Sequence, residues 1–588
     1  MDEGASSTTR RDLLAGTGVG ISSAFAGCSE VFWSRAENAG PDQIELDIKT
    51  VPADDDPFAA MILSQLRENF QAAGIDVAHV PSAKADLHRE VLLERDYDVF
   101  VVRHPGFDDY DALYGLLHSQ FVSERGWQNP FQFSDRTVDE LLEEQRSAEN
   151  RRRDVLSELV EFLEETAPYT VVAFPERTGG TRRETDASVP PHDPYEYVDL
   201  MAREPADGPR ENPIAVGVSG EALANRLNPV VVDRNRIPGL LDLLYDPLVR
   251  NPHTEEYVPW LAESVSWHEA DQLRATVTLR DGATWHDETP LTADDVVFTN
   301  RFLNDTALGD VEGHIPAQRF RSRQTLVSEI ERLDASTVRF SFGNTVTDPE
   351  TYPNRSVAVR ALTVPLLPEH IWDARSEVIA ERQTDALVSD NEEPVGSGLF
   401  SIDDVTSDQV DLQPFDEHVL REQSADRPAV FDGFSQYTGI QFRIDPNPGA
   451  MVDALREGMT DVTATTLPSD QIETVQNDDG TRLLTGQTPA FYMVGYNHQR
   501  TPLGNHRFRQ ILSRLVDRDY VVEEFFDGFA EPATTKRSLL GIFEDDREDD
   551  TTSTVATFPG TDGEIDVEEV RSLFEAAGYH YEEERLLE

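Results

Sequence analysis

A single cysteine, Cys28, stands in 588 residues. That excludes a disulfide framework and a cysteine-based zinc cluster. Lysine is nearly absent: Lys49, Lys84 and Lys536 are the only three, and every other basic residue is arginine. Positive charge as a whole is scarce. Against 111 Asp+Glu there are 51 Lys+Arg, a formal net charge of −60. A general nucleic-acid binder is thereby excluded, because it needs a cationic face to displace counterions. No run of about 18 or more apolar residues occurs, so no stable transmembrane helix is encoded. Nucleophile elbows, zincin helices and P-loops are missing too, as are repeats and Thr-rich stalks.

What is present is a globular chain. Its 29 Phe, 15 Tyr and 6 Trp supply large hydrophobes for packed interiors, and the length calls for two or three domains or lobes. The acid excess runs along the whole sequence. At low salt such a charge strains a compact state by self-repulsion. At molar salt the Debye length falls to about 3 Å and the repulsion is screened. Scarce Lys with excess Asp and Glu resembles the composition of proteins from salt-loving archaea.

Thr9-Arg10-Arg11-Asp12-Leu13-Leu14 opens a weakly apolar Gly/Ala stretch that closes on Phe25-Ala26-Gly27-Cys28. The segment resembles a twin-arginine export signal ending in a lipobox. The resemblance implies export of a folded protein, then lipid attachment at Cys28 on the extracellular face of the membrane. Gly16, Gly18 and Gly20 lie inside this signal with no strand ahead of them, so they are no nucleotide loop. The sequons beginning at Asn304 and Asn354 would permit glycosylation outside.

From Ile214 a set of segments appears in order: Leu227-Asn228-Pro229, Leu244-Tyr245-Asp246-Pro247-Leu248, Pro259-Trp260-Leu261-Ala262, Asp281-Gly282-Ala283-Thr284-Trp285-His286-Asp287 and Pro290-Leu291-Thr292-Ala293-Asp294-Asp295. Asp281-Gly282 reads as a turn after the alternating strand Leu273 to Leu279. Thr292 reads as the cap of an acid-led helix, with Trp285 and Val296 beneath it. Pro394-Val395-Gly396-Ser397-Gly398, Ala454 to Gly458, Arg507 to Leu512 and Leu573 to Tyr579 follow. This order resembles the family 5 extracellular solute-binding proteins, the peptide and nickel receptors of ABC importers. The resemblance implies an α/β fold of the type II periplasmic-binding-protein kind, with two lobes, a hinge and an interlobe cleft.

The family's closing part stands in front. A strand at Leu46 to Val51, an amphipathic helix from Pro57 to Ala73 carrying Ala60, Ile62, Leu63, Leu66 and Phe70, and a strand at Tyr97 to Val102 lead to a helix over 151–165 and an apolar strand from Ala167. A circular permutation is therefore expected. Residues 1–43 form the signal and tether, 44–176 the first part of lobe II ending in a hinge strand, and 177–213 a Pro- and Gly-rich linker. Residues 214–490 form lobe I, joined by the 171–176 strand, and 491–588 complete lobe II. The hinge is expected near Pro489 to Tyr496 and near Tyr169 to Phe174.

In peptide-binding relatives an Asp of lobe II grips the ligand amine. The matching stretch here offers Asp108 or Asp109 beside Tyr110, while Arg103 and His104 would make the wall cationic and favour an anionic group. Tyr245, Trp285, Tyr492 and Tyr496 are candidate cleft aromatics, with Asn497 next to them. His286 has no nucleophile or metal-ligand partner at a telling spacing, and the clustered carboxylates Asp294-Asp295 and Asp545-Asp546 could mimic acid–base pairs but read as surface in a chain this acidic. The family implies a binder of an oligopeptide or other small solute that hands it to an ABC permease. A monomer without cofactor, metal or enzymatic activity is expected. A secreted hydrolase and a surface adhesive protein are the competing classes, and a signalling receptor is a variant within the binder class.

Overall fold

The computed structural model describes residues 42–587 except 80, 108, 149, 204–211, 221, 232–235, 253–255, 270, 344–350, 381–382, 422–430, 432–436, 536–537 and 542–556. The twin-arginine segment, Cys28, Asp108 and the Asp545-Asp546 pair lie outside the described residues.

Alternation of buried and open positions in Glu45–Lys49 puts Leu46 and Ile48 on an interior face. This strand starts a six-stranded sheet whose spatial order is Asp76–His79, Glu45–Lys49, Val99–His104, Phe491–Tyr496, Tyr169–Pro175, Ala530–Pro532. The first three run parallel and the others pair antiparallel. Parallel neighbours need a crossover. Helix Pro57–Ala72 supplies it, with Asp56 capping by accepting from the Ala59 amide and Pro57 in the first turn. Its inner stripe is Ala59, Ile62, Leu63, Leu66 and Phe70. Ala59 and not Ala60 takes the core position, because residue 59 lies three before Ile62 and four before Leu63, on the line between the two buried side chains.

A seven-stranded sheet builds the other lobe, ordered Phe400–Val405, Gln409–Pro414, Ile440–Asp445, Ile214–Ser219, Val462–Thr463, Arg177–Arg182, Thr481–Gly486. A four-stranded antiparallel sheet containing Leu273–Leu279 packs into the same core. Helix Ala293–Asn304 next to it carries the expected Thr292 cap, closed into a capping box by Asp295. Asp295 is thus spent on structure. Trp285 and Val296 are buried beneath, as anticipated.

Two large cores result. Side chains from 44–174 and from 491–586 share one, and side chains from 187–484 form the other. The ends of the described body meet in the first: Gln43 bridges Leu587, and the Ile44 amide donates to the Leu586 carbonyl at 2.9 Å. Two expectations are corrected. Residues 169–175 belong to the sheet of lobe II, and the strand that returns to lobe I is Arg177–Arg182. The stretch read as linker therefore starts with a paired strand and continues into helix Pro194–Ala202. The strand was hidden because it buries Thr178 and Thr181 where apolar residues are usual. Their hydroxyls donate to Leu467 and Asp461 carbonyls at 2.9 and 3.2 Å. Gly180 lets Leu455 approach: a Cβ there would lie 2.5 Å from its Cδ2.

Both sequon side chains are occupied. Asn304 Nδ2 donates to Gln324 Oε1 and the Asn300 carbonyl, each at 3.2 Å. Asn354 caps helix Arg355–Ala358 with its oxygen, and its Nδ2 is buried. Neither amide is presented for glycosylation in this fold.

Candidate ligand crevice

The chain crosses between the lobes twice. One crossing passes through Glu176, between strands Tyr169–Pro175 and Arg177–Arg182. The other passes through 487–490, between Thr481–Gly486 and Phe491–Tyr496. Tyr492 and Tyr496 hence lie inside the lobe II sheet and not in the hinge itself. Arg177 ties the crossings together. Its Nε donates to the Gln487 carbonyl at 3.0 Å, and its other nitrogens fork onto Glu196 at 2.6 and 2.7 Å. Bidentate pairing of this kind fixes geometry as well as charge.

Strand Val99–His104 ends beside the second crossing. There Gly106 adopts φ +94°, and a Cβ on it would lie 2.2 Å from the Pro489 carbonyl. Arg103 is exposed and pairs across the sheet with Tyr492. The Tyr492 hydroxyl donates to the Asp56 carboxylate, 3.0 Å from Oδ1. Burial pushes the Asp56 carboxyl up, while the Ala59 amide, Arg103, the Tyr492 hydroxyl and Lys84 pull it back down. From lobe I, the His192 imidazole is held below its ordinary pKa by desolvation, with the charges of Arg177 and Arg103 acting in the same direction and Glu196 and Asp193 against it. Arg103 is thus near enough to bias a group on the other lobe.

His104 does not join this wall. It is buried and stacked on Phe491 with centroids 4.8 Å apart, and its Nδ1 accepts from the Gly106 amide at 3.0 Å. Burial holds its pKa down to about 3, so it carries no charge near neutrality. Strand alternation explains this, since Arg103 and His104 must face opposite sides. Asp109 is engaged by an Arg152 fork at 2.5 and 3.2 Å and accepts the Asp111 amide. Tyr110 is half-buried against the lobe II core.

The remaining aromatics are core. Trp285 is 0% exposed and Tyr245 1%, its hydroxyl accepting from Asn391 at 2.9 Å. Tyr496 is buried with its hydroxyl 2.8 Å from Thr170 Oγ1, and burial pushes its phenol up to about 12. Asn497 is buried too, donating to the Tyr97 carbonyl at 2.9 Å and accepting from Gln132 at 3.0 Å. Large apolar rings fill whichever dry space is nearest, and here that space is the lobe interior. Of the described candidate ligand residues singled out in the sequence, only Arg103 is exposed, and Tyr492 is bonded to Asp56. Sequence reasoning missed Asp56 and His192. Asp56-Pro57 was readable as a helix start, but His192 was hidden inside the stretch taken for a linker. No group of three or more His, Cys, Asp or Glu among the described residues could hold a metal ion. No helix among them is long and apolar enough to cross a membrane.

Two α/β lobes are joined by two strand crossings. Residues 256–587 match the family model for bacterial extracellular solute-binding proteins, family 5 Middle, and the chain belongs to that family. A putative ABC transporter peptide-binding protein of Brucella ovis is 26% identical over 295 residues, which is 49% of this chain and 48% of that protein. The oligopeptide-binding protein AppA of Bacillus subtilis is 23% identical over 301 residues, 51% of this chain and 49% of its own. The chain spans about half the length of the curated relatives it matches. NikZ of Campylobacter jejuni, solved in complex with Ni(L-His), aligns with a TM-score of 0.44 at 16% identity, covering 64% of this chain and 66% of that one.

Proposed function

We propose that the protein is the substrate-binding component of an ABC importer, exported by the twin-arginine route and held on the extracellular face by a lipid on Cys28. It captures a small solute in the interlobe crevice as a monomer and presents the closed form to a permease. The observation that carries this reading is the pair of strand crossings that join two separate cores. Hinge closure of this kind strips water from a ligand, so matched polar contacts strengthen and mismatched ones are penalised.

Arg103 favours a solute with an anionic group, such as the carboxylate of a peptide or a related zwitterion. Asp56 offers a carboxylate for a cationic end. Asp109 would have to leave Arg152 to grip an amine, so peptide capture by that residue is disfavoured, and Asp108 stays a candidate. The peptide-binding names of the relatives agree with a small zwitterionic solute. Scarce Lys with a net charge of −60 supports a habitat of concentrated brine. Permuted chain order is supported by the Gln43–Leu587 bridge and by the sharing of one core between 44–174 and 491–586.

The test is mass spectrometry of small molecules carried by protein purified in molar salt, followed by thermal shift with each candidate. A ligand-dependent rise in melting temperature without turnover is expected. Turnover of a bound peptide or glycan would replace this reading with a hydrolase.

A further inference from the structure

The lobes also touch outside the hinge crossings. Helix Ala112–Leu117 of lobe II lies on helix Arg321–Gln324 of lobe I. The approach is so close that a Cβ on Gly115 would sit 2.7 Å from the Ser322 Cβ. Asp111, just ahead of the first helix, is 0% exposed. Its carboxylate accepts from Arg146 Nε and Nη2 of its own lobe, and from Arg360 Nη1 of the other lobe at 2.7 Å. Arg146 reaches across as well: its carbonyl accepts the Asn354 amide at 2.7 Å, and Nη1 donates to Thr325 Oγ1 at 3.1 Å. At the rim Arg321 forks onto Glu124 at 2.9 and 3.0 Å.

We propose that this junction is a latch which holds the lobes closed, centred on Asp111 and Arg360. The proposal rests on the hinged reading above and adds to it the residues that set how much of the unliganded protein is shut. A dry ion pair is satisfied only when both partners are in place, and withdrawing one strands a buried charge. Opening must therefore release Arg360 from Asp111 in one step, while Arg146 stays with Asp111 inside lobe II. The switch is bistable for that reason. Its location suits a salt-loaded medium. Mobile ions screen exposed pairs within a few ångströms, but a pair excluded from water is screened much less.

The experiment uses the full chain in molar salt without ligand, with spin labels on one introduced exposed cysteine per lobe and scattering as a second readout. Arg360→Gln should add or enlarge a long interlobe distance and speed release of a bound solute at least about tenfold. Glu124→Arg should move the distance the same way, and adding Arg321→Glu should restore it. Should Arg360→Gln fail to fold, the charge-swap pair decides alone. Unchanged distances in folded single variants, or a double variant that does not recover, overturn the latch. Distances are read without ligand, so the latch stands or falls separately: a responsive latch in a protein that carries no solute would sink the importer reading alone.

Discussion

Tyr492 Oη lies 3.0 Å from Asp56 Oδ1 although 436 residues of chain separate them. The bond ties the first helix of lobe II to the strand that follows the second hinge crossing. Phe58 and Phe526 stack beside it at 4.3 Å, with Tyr492 packed edgewise on Phe58.

Arg103 is exposed, so its removal should leave the fold alone. Arg103→Ala is expected to melt within about 0.5 kcal/mol of the parent. The affinity for an anionic solute should fall by about 1.5–3 kcal/mol, the usual worth of a charged hydrogen bond. Calorimetry with the solute identified by mass spectrometry checks both; an unchanged affinity would remove Arg103 from the crevice.

Three histidines should make the fold sensitive to mild acid. Burial lowers His104 and His498 to about 3 and His286 to about 4. The unfolded chain takes up these protons near pH 6.5 and the folded chain does not. Stability is therefore full above about pH 6.5 and lost as pH falls toward 3–4, each group contributing up to about 1.4 kcal/mol per pH unit. Denaturant titrations between pH 7 and 5 should show the slope, and His104→Phe should flatten it by one proton.

Dilution of salt should unfold the protein. Moving from molar salt to about 0.1 M lengthens the Debye screening from about 3 to about 10 Å, exposing the repulsion within a net charge of −60. Melting followed by circular dichroism should show a steep loss of stability, whereas a melting temperature independent of salt contradicts the salt-adapted reading.

Gly106→Ala should loosen the crevice from the hinge. The backbone there is left-handed and the added methyl meets the Pro489 carbonyl, so a loss of about 1–3 kcal/mol is expected. Gly282→Ala, also at positive φ but with open space around it, should cost less. Comparing the two by denaturant melts isolates the contact with Pro489.

Local pattern carried much of the architecture. The Leu273–Leu279 strand, the Thr292 cap and the helix beginning at Pro57 were readable because alternation, capping and helical spacing are properties of neighbouring residues. The ordered motifs from Leu227 to Tyr579 carried the family. What faced each residue from afar was not readable. His104 and Arg103 are adjacent in sequence, yet one is sealed under Phe491 and the other is open, because a strand seen alone does not say which face will be covered. Asp109 looked available until Arg152 closed on it, and Arg177–Arg182 looked like linker because its buried residues are Thr and Gly. The amino-acid order thus determined the elements, the charge and the family. The tertiary structure alone decided that Arg103 stays open while His104 is sealed, and that Asp111 meets Arg360, since burial and pairing depend on surfaces brought from hundreds of residues away.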